Sequence, residues 1–122
     1  MSINESGEMY LEAIYVLSKK ISGVHAIDVG EYLGFSKPSV SRALSILKDK
    51  NLIIVDKESH IFLTSEGCSL AEKIYTRHVV VKDFLMRLGV CENVAEQDAC
   101  KIEHVLSDET FTALKSAIEK SK

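Results

Sequence analysis

A pair of short helical patterns joined by a tight turn, with a β-hairpin pattern after them, restricts the fold of this chain more than any other feature. The first helix is predicted over 26–33 and the second over 37–50, and Gly34 suits the left-handed conformation that ends a helix. Two apolar runs at 52–55 and 60–63 flank a polar stretch, which is typical of a short hairpin. This order of elements predicts a winged helix-turn-helix.

The rest of the chain is also helical in pattern. Apolar residues recur with the period of an amphipathic helix in four further segments: 5–20, 65–88, 94–106 and 107–120. The 122 residues are enough for one compact domain or for two small ones that share a core. The natural domain boundary lies at Thr64. We therefore predict a mainly α fold, with a winged helix-turn-helix over 1–64 and three helices over 65–122.

The charge distribution indicates one surface for a polyanion. Segment 36–57 contains five basic and two acidic residues, a local balance of +3, whereas the whole chain carries a net charge of −3. The remainder therefore carries −6. An acidic protein with one basic island is expected to bind nucleic acid at that island and not along its whole surface.

The second helix of the helix-turn-helix has the features of a DNA-reading helix. Pro38 and Ser39 at its leading end are small enough for close approach to the major groove, and Lys37 and Arg42 supply positive charge. Arg42 can make bidentate hydrogen bonds to guanine or pair with a phosphate. The alternative is a solvated helix face in a winged-helix scaffold that binds protein. The helix-turn-helix, the basic island and the hairpin together favour DNA.

The sequence carries no signal for a membrane or an oxidising compartment. No apolar run reaches the roughly 18 residues that a membrane-spanning helix needs, and residues 1–8 lack the basic-then-apolar order of a signal peptide. Cys68, Cys91 and Cys100 show no C-x-x-C spacing and are expected to be reduced thiols. We therefore expect a cytoplasmic protein without a membrane partner.

Side chains that commonly bind metals lie close together near the C-terminus. Cys100, Glu103 and His104 stand at i, i+3 and i+4, which puts a thiol, a carboxylate and an imidazole on one face of the predicted helix. This set suits Fe(II), Mn(II), Co(II) or Zn(II). Met9 and Glu12 are one turn apart on the first helix. The alternative is a core cysteine and a core methionine beside polar groups in solvent.

Two longer motifs resemble a known family. Residues 8–15 read EMYLEAIY and residues 100–107 read CKIEHVLS. Together with SKPSVS at 36–41, they resemble the metal-dependent repressors of the diphtheria-toxin-repressor and manganese-transport-regulator family. The resemblance extends over essentially the whole chain. It implies a winged-helix DNA-binding domain joined to a helical metal-binding and dimerisation domain.

The resemblance also implies a set of metal ligands. Four positions match the activating site of the iron-dependent branch: Met9, Cys100, Glu103 and His104. Glu12 and His78 match ligands of the manganese-dependent branch, so the set is a hybrid. The positions of an ancillary site in the iron branch hold His78, Lys82 and Glu96, and a protonated lysine cannot ligate a metal.

The softness of the predicted ligand atoms ranks the metals that we expect to bind. A thioether and a thiolate favour Fe(II), so we expect Fe(II) first and Mn(II) second, with Zn(II), Co(II) or Ni(II) able to bind in vitro. The expected protein is a metal-activated, sequence-specific transcriptional repressor that controls metal-ion homeostasis. As a homodimer, it would place two recognition helices roughly 34 Å apart on a near-palindromic double-stranded operator.

Two alternatives come from other classes. The first is a winged-helix regulator that is metal-independent or responds to thiol oxidants through Cys100. The second is a small metallohydrolase with Glu103 as general base, which is disfavoured because the sequence has no H-E-x-x-H motif and no nucleophile elbow. We therefore expect a regulator and not an enzyme.

Overall fold

A computed structural model describes residues 5–120 and shows that they are mainly helical. The elements in chain order are α1 Glu5–Lys20, α2 Ala26–Leu33, α3 Lys37–Asp49, β1 Ile53–Val55, β2 Ile61–Leu63, α4 Ser65–Arg87, α5 Glu92–Ile102 and α6 Asp108–Lys120. This order confirms the predicted mainly α fold with a winged helix-turn-helix. The chain forms two compact units, Met1–Glu72 and Lys73–Lys122, whose boundary falls within α4. Among the described residues, no helix has the length and apolar character needed to cross a membrane.

The first unit is built from three helices and the hairpin. Helix α1 packs against α2 and α3, while β1 contacts α3 and β2 contacts α1. The strands are antiparallel, with Ile54 opposite Phe62 on the exposed side. The buried side chains are mostly aliphatic and include Leu11, Ile14, Val29, Val40, Leu47, Leu52, Ile53 and Ile61. Burial of this apolar surface holds the helix-turn-helix and the hairpin together.

The turn between α2 and α3 forms as the sequence predicts. Gly34 ends α2 in the left-handed conformation, with φ of 74°, and its backbone N–H donates to the Gly30 carbonyl oxygen at 2.8 Å. Ser36 is the N-cap of α3, because its side-chain oxygen accepts a hydrogen bond from the Ser39 backbone N–H at 3.4 Å. These two caps fix where the recognition helix starts.

The second unit contains the later part of α4 together with α5 and α6. Its buried apolar side chains come from all three helices: Ile74, Val81, Ala95, Ala99 and Ile118. The two alanines have no exposed surface and give α5 a narrow buried face. A small side chain at each of these positions lets the helix backbone approach its neighbours closely.

The fifth helix ends at Ile102, so the prediction that it continues to Leu106 is wrong. The cause is a tertiary contact. Arg77 donates hydrogen bonds from Nη1 to the backbone carbonyl oxygens of Leu106, at 2.6 Å, and of Glu103, at 3.5 Å. Its Nη2 pairs with the Asp108 carboxylate at the start of α6. The guanidinium thus satisfies carbonyl groups that a helix end leaves without intrahelical partners.

Candidate functional site

Four polar side chains of the second unit form what we call the His78 cluster. His78 on α4 and Glu103 after α5 are buried, with 8% and 2% of their surface exposed. Glu96 and Cys100 belong to α5. His78 Nδ1 lies 2.8 Å from Glu103 Oε2 and 3.8 Å from Cys100 Sγ. On the other side of the ring, His78 Nε2 lies 3.0 Å from Glu96 Oε1.

Helical spacing explains why three members of the cluster face His78. Glu96, Cys100 and Glu103 stand at i, i+4 and i+7, which places them on successive turns of one helix face. Glu103 caps α5 with right-handed helical backbone angles, φ −55° and ψ −30°, so its side chain continues that face. The donor atoms of His78, Glu96 and Cys100 all lie within 4.8 Å of one another, an arrangement that can hold a metal ion.

Strong electrostatic coupling connects the members of the cluster. Hydrogen bonds with Cys100 and with Glu103 raise the pKa of His78 to about 11, although burial acts in the opposite direction. Partial burial would raise the pKa of Glu96, but hydrogen bonds from Lys82 and His78 outweigh it and lower that pKa. At neutral pH His78 is therefore a cation between carboxylates.

One atom of the cluster is left without a hydrogen bond. Glu103 Oε1 is buried and has no hydrogen-bond partner among the described residues, although His104 Nε2 lies 3.2 Å away. A buried carboxylate oxygen that accepts no hydrogen bond is costly. A divalent cation would compensate this oxygen, and the imidazole, thiol and carboxylate of the cluster are the donor types that iron, manganese and zinc take. The residues present therefore fit a metal ion.

Lys82 extends the cluster from α4. Its Nζ lies 3.0 Å from Glu96 Oε2 and 3.9 Å from Glu92 Oε1. The hydrogen bond with Glu96 raises the pKa of Lys82, so the side chain remains an ammonium. Sequence alone indicated only that Lys82 cannot ligate, and the partnership with Glu96 is added by the structure.

The structure brings some of the sequence-predicted ligands together. His78, Cys100 and Glu103 meet in the cluster, and His104 Nε2 is close to Glu103. His104 lies in the turn that follows the end of α5 at Ile102. Two other predicted ligands are on α1 in the first unit and are half-buried: Met9 and Glu12.

Metal binding at the His78 cluster is expected to release protons. Below its pKa of about 11, His78 carries a proton on each ring nitrogen, and a protonated nitrogen cannot bind a metal. Protons therefore compete with the metal, and the apparent affinity should fall roughly tenfold per unit decrease in pH for each proton displaced. Titration calorimetry in buffers of different ionisation enthalpy measures the number of protons released on metal binding. An affinity independent of pH would contradict metal binding at His78.

The start of α3 presents the predicted DNA-contacting residues. Lys37, Pro38 and Arg42 are exposed, whereas Ser39 is partly buried. The hydroxyl of Ser39 accepts a hydrogen bond from the Ser36 hydroxyl at 2.9 Å, so it also takes part in the helix cap. A rigid, capped helix end with two exposed cations is suited to contact with the DNA backbone and bases.

Comparison with protein families matches both halves of the chain. The N-terminal DNA binding domain of iron dependent repressors matches residues 2–61, and the metal binding and dimerisation domain of the same repressors matches residues 64–122. The chain belongs to the iron-dependent repressor family. Its matched relatives are transcriptional regulators and not enzymes, so the metallohydrolase alternative is excluded.

Individual relatives agree with this family. The chain is 35% identical to the transcriptional regulator MntR of Escherichia coli O157:H7 over 111 residues, which cover 91% of this chain and 72% of that protein. It is 33% identical over 122 residues to an uncharacterized HTH-type transcriptional regulator of Methanocaldococcus jannaschii, covering 98% of each protein.

Solved structures show the same fold. The manganese regulator SloR has a TM-score of 0.83 and 29% identity, with 98% of this chain and 55% of that chain covered. The metal-dependent transcriptional regulator MtsR has a TM-score of 0.86 and 26% identity, with 93% of this chain and 53% of that chain covered. The chain thus spans about half the length of these solved relatives.

Proposed function

We propose that the chain is a metal-activated, sequence-specific DNA-binding repressor that controls Fe(II) or Mn(II) homeostasis. The observation that carries this proposal is the His78 cluster, whose buried imidazole and carboxylate lie in the segment that matches the metal-binding domain of the family. When bound, the ion supplies positive charge and coordination bonds that hold the donor atoms together. DNA binding is assigned to residues 1–64, and metal binding and dimerisation to residues 65–122.

The ligand set combines the cluster with residues from the family resemblance. His78, Cys100 and Glu103 are supported by their mutual distances. Three further ligands rest on matching sequence positions: Met9, Glu12 and His104. The effector changes DNA affinity only by its preference for the DNA-competent state, a coupling of about 1–3 kcal/mol in typical cases.

Fe(II) is the favoured effector and Mn(II) the second. The Cys100 thiol in the His78 cluster is a soft donor, and soft donors favour Fe(II) over Mn(II). Mn(II) has independent support from SloR, a relative named as a manganese regulator. Zn(II), Co(II) and Ni(II) are expected to bind in vitro, because affinity at such sites follows the general order for divalent metals.

The partners are a double-stranded, near-palindromic operator and a second copy of the chain. A two-fold dimer presents two α3 helices to successive major grooves, roughly 34 Å apart along the DNA. The match to a dimerisation domain over residues 64–122 supports this assembly. The cytoplasmic location expected from the sequence follows from the DNA partner.

The deciding experiment measures binding to the promoter region of the chain's own gene. Affinity is determined anaerobically with each divalent metal and with a chelator. We expect tight binding only with an activating metal, and Fe(II) or Mn(II) at the lowest concentration. Equal binding with the chelator present would reject metal activation. If only oxidants change the affinity, the thiol-responsive alternative is correct.

Arg42 and Lys37 are expected to contribute to DNA binding in different ways. If Arg42 reads a base, Arg42→Ala should reduce discrimination at one operator position by about 1–3 kcal/mol. Lys37→Ala should weaken binding to all sequences alike and reduce the salt slope by roughly one charge. Binding to a panel of single-base operator variants at several salt concentrations separates the two effects. Uniform weakening by both variants would assign Arg42 to a phosphate.

Met9 is expected to influence the choice of metal. Met9→Asp replaces a soft thioether with a hard carboxylate and should shift activation toward Mn(II) relative to Fe(II). The measurement is the ratio of the Mn(II) and Fe(II) concentrations that give half-maximal operator binding. Glu8→Asp, one residue earlier on α1, is the control for added strain in the helix. An unchanged ratio in Met9→Asp would remove Met9 from the ligand set.

A further inference from the structure

The imidazole of His78 faces two chemically different surroundings. Its Nδ1 is directed at Glu103 Oε2, 2.8 Å away, and at Cys100 Sγ, 3.8 Å away. Its Nε2 is directed at Glu96 Oε1, 3.0 Å away. A neutral imidazole has one lone pair for a metal and one N–H for a hydrogen bond. The partners of the two nitrogens therefore determine on which side a metal ion binds.

Lys82 makes the Nε2 side unfavourable for a metal ion. Its ammonium contacts Glu96 Oε2 at 3.0 Å, while the other oxygen of the same carboxylate contacts His78. The two contacts occupy both oxygens of Glu96 and put a fixed positive charge beside it. A divalent cation on Glu96 would meet like-charge repulsion from this ammonium. Among residues 5–120, the contacts of Nδ1 are with the Cys100 thiol and the buried Glu103 carboxylate, which are both suited to a cation.

We propose that Glu96 and Lys82 are positioning residues that direct metal binding to Nδ1 of His78. Glu96 accepts the Nε2–H, which leaves the Nδ1 lone pair directed at Cys100 and Glu103. Lys82 holds the Glu96 carboxylate in the orientation that accepts this hydrogen bond. Nδ1 of His78 would then be the metal-binding nitrogen, and the proton that it carries would leave to solvent. This inference rests on the proposed metal binding and adds the arrangement of the site.

The competing arrangement has Glu96 as a direct ligand. Its carboxylate lies close enough to His78 and Cys100 for all three to share one ion. The two arrangements differ in the ring nitrogen that binds the metal and in the effect of substitutions. A carboxylate that supports a ligating histidine through its N–H changes metal affinity by roughly 10–100-fold when it is lost. Loss of a ligand also changes the coordination of the ion.

The test uses Zn(II) as a diamagnetic probe with the full chain. Nitrogen-15 NMR of the zinc-loaded protein identifies which nitrogen of His78 is protonated. Affinity is measured by competition with a chromophoric chelator, and Co(II) absorption reports the coordination. The variants are Glu96→Ala, Glu96→Gln and Lys82→Met, with Lys115→Met on the exposed side of α6 as the charge control. Circular dichroism of the metal-free variants verifies the fold.

We expect Nε2 to be protonated and Nδ1 to be metal-bound in the wild type. Glu96→Ala should weaken Zn(II) binding by roughly 10–100-fold with little change in the Co(II) spectrum. Glu96→Gln, which keeps an oxygen acceptor, should recover part of that loss. Lys82→Met should weaken binding, and Lys115→Met should not.

Specific outcomes would overturn this inference. A zinc-bound Nε2, a Co(II) spectrum that changes when Glu96 is removed, or unchanged affinity in Glu96→Ala would each do so. These results leave metal binding itself intact. In contrast, His78 resonances that do not respond to Zn(II) in the wild type would reject the proposed metal site, and the inference with it.

Discussion

Gly67→Ala is expected to destabilise the first unit more than the same substitution at Gly23, Gly30 or Gly34. Gly67 is buried in the first turns of α4, and a Cβ at this position would lie 1.9 Å from the carbonyl oxygen of Leu52 and 2.9 Å from its carbonyl carbon. Both are backbone atoms, so a side-chain rotation cannot remove the clash. Leu52 is itself 1% exposed in the core.

Local hydrogen bonds hold the start of α4 against the backbone of Asn51 and Leu52. Thr64 Oγ1 accepts from the Gly67 N–H at 3.0 Å and donates to the Asn51 carbonyl oxygen at 2.8 Å. The Thr64 N–H also donates to the Leu52 carbonyl oxygen at 3.0 Å. Overpacking of a core costs about 1–3 kcal/mol and occasionally more. Because backbone must shift here, we expect a loss at or above the upper end of that range.

Gly34→Ala is the matched comparison for this loss. Gly34 has a positive φ of 74°, but a Cβ there would meet no heavy atom within 4 Å. Its cost is therefore the left-handed backbone strain alone, about 1–2 kcal/mol. Urea denaturation of both variants gives the two free energies of unfolding. A smaller loss of unfolding free energy in Gly67→Ala than in Gly34→Ala would contradict the close approach of α4 to the Leu52 backbone.

The sequence predicted the elements whose ends are set by local chemistry. Gly34 and Ser36 act through their own backbone neighbours, and α2 begins and ends at the predicted residues. The end of α5 could not be predicted in this way. It depends on Arg77, whose side chain reaches the Leu106 carbonyl oxygen from another helix. The contact of Gly67 with Leu52 is also made between elements and leaves no local signal.

The candidate site was predicted only in part for the same reason. Cys100 and Glu103 were found by spacing and by family motif, and His78 by family motif alone. Glu96 was named only as a position of the ancillary site, and its helical i, i+4 relation to Cys100 is the signal that could have grouped it with Cys100. The role of Lys82 depends on its distance to Glu96 across two helices. A linear pattern does not contain that distance.

Glu103→Gln is expected to have the largest effect on metal binding. The Glu103 side chain has no exposed surface, pairs with His78 through Oε2, and has Oε1 free of hydrogen bonds. The amide keeps the shape but removes the charge that attracts a cation. Affinity for the activating metal should fall by more than the roughly 10–100-fold that loss of an outer-shell partner costs. The metal-free protein should also lose stability, because breaking a buried ion pair costs up to about 3–5 kcal/mol.

Thermal unfolding with and without metal separates these two effects. A ligand that binds only the folded state raises its stability according to concentration and affinity. The quantity to compare is therefore the metal-induced shift in Tm within each variant, since the metal-free Tm values will differ. Wild type and Glu119→Gln, an exposed change on α6, should show the full shift with Fe(II) or Mn(II). Glu103→Gln should show almost none. A full shift in Glu103→Gln would mean that the buried carboxylate serves the fold alone and that the metal binds without it.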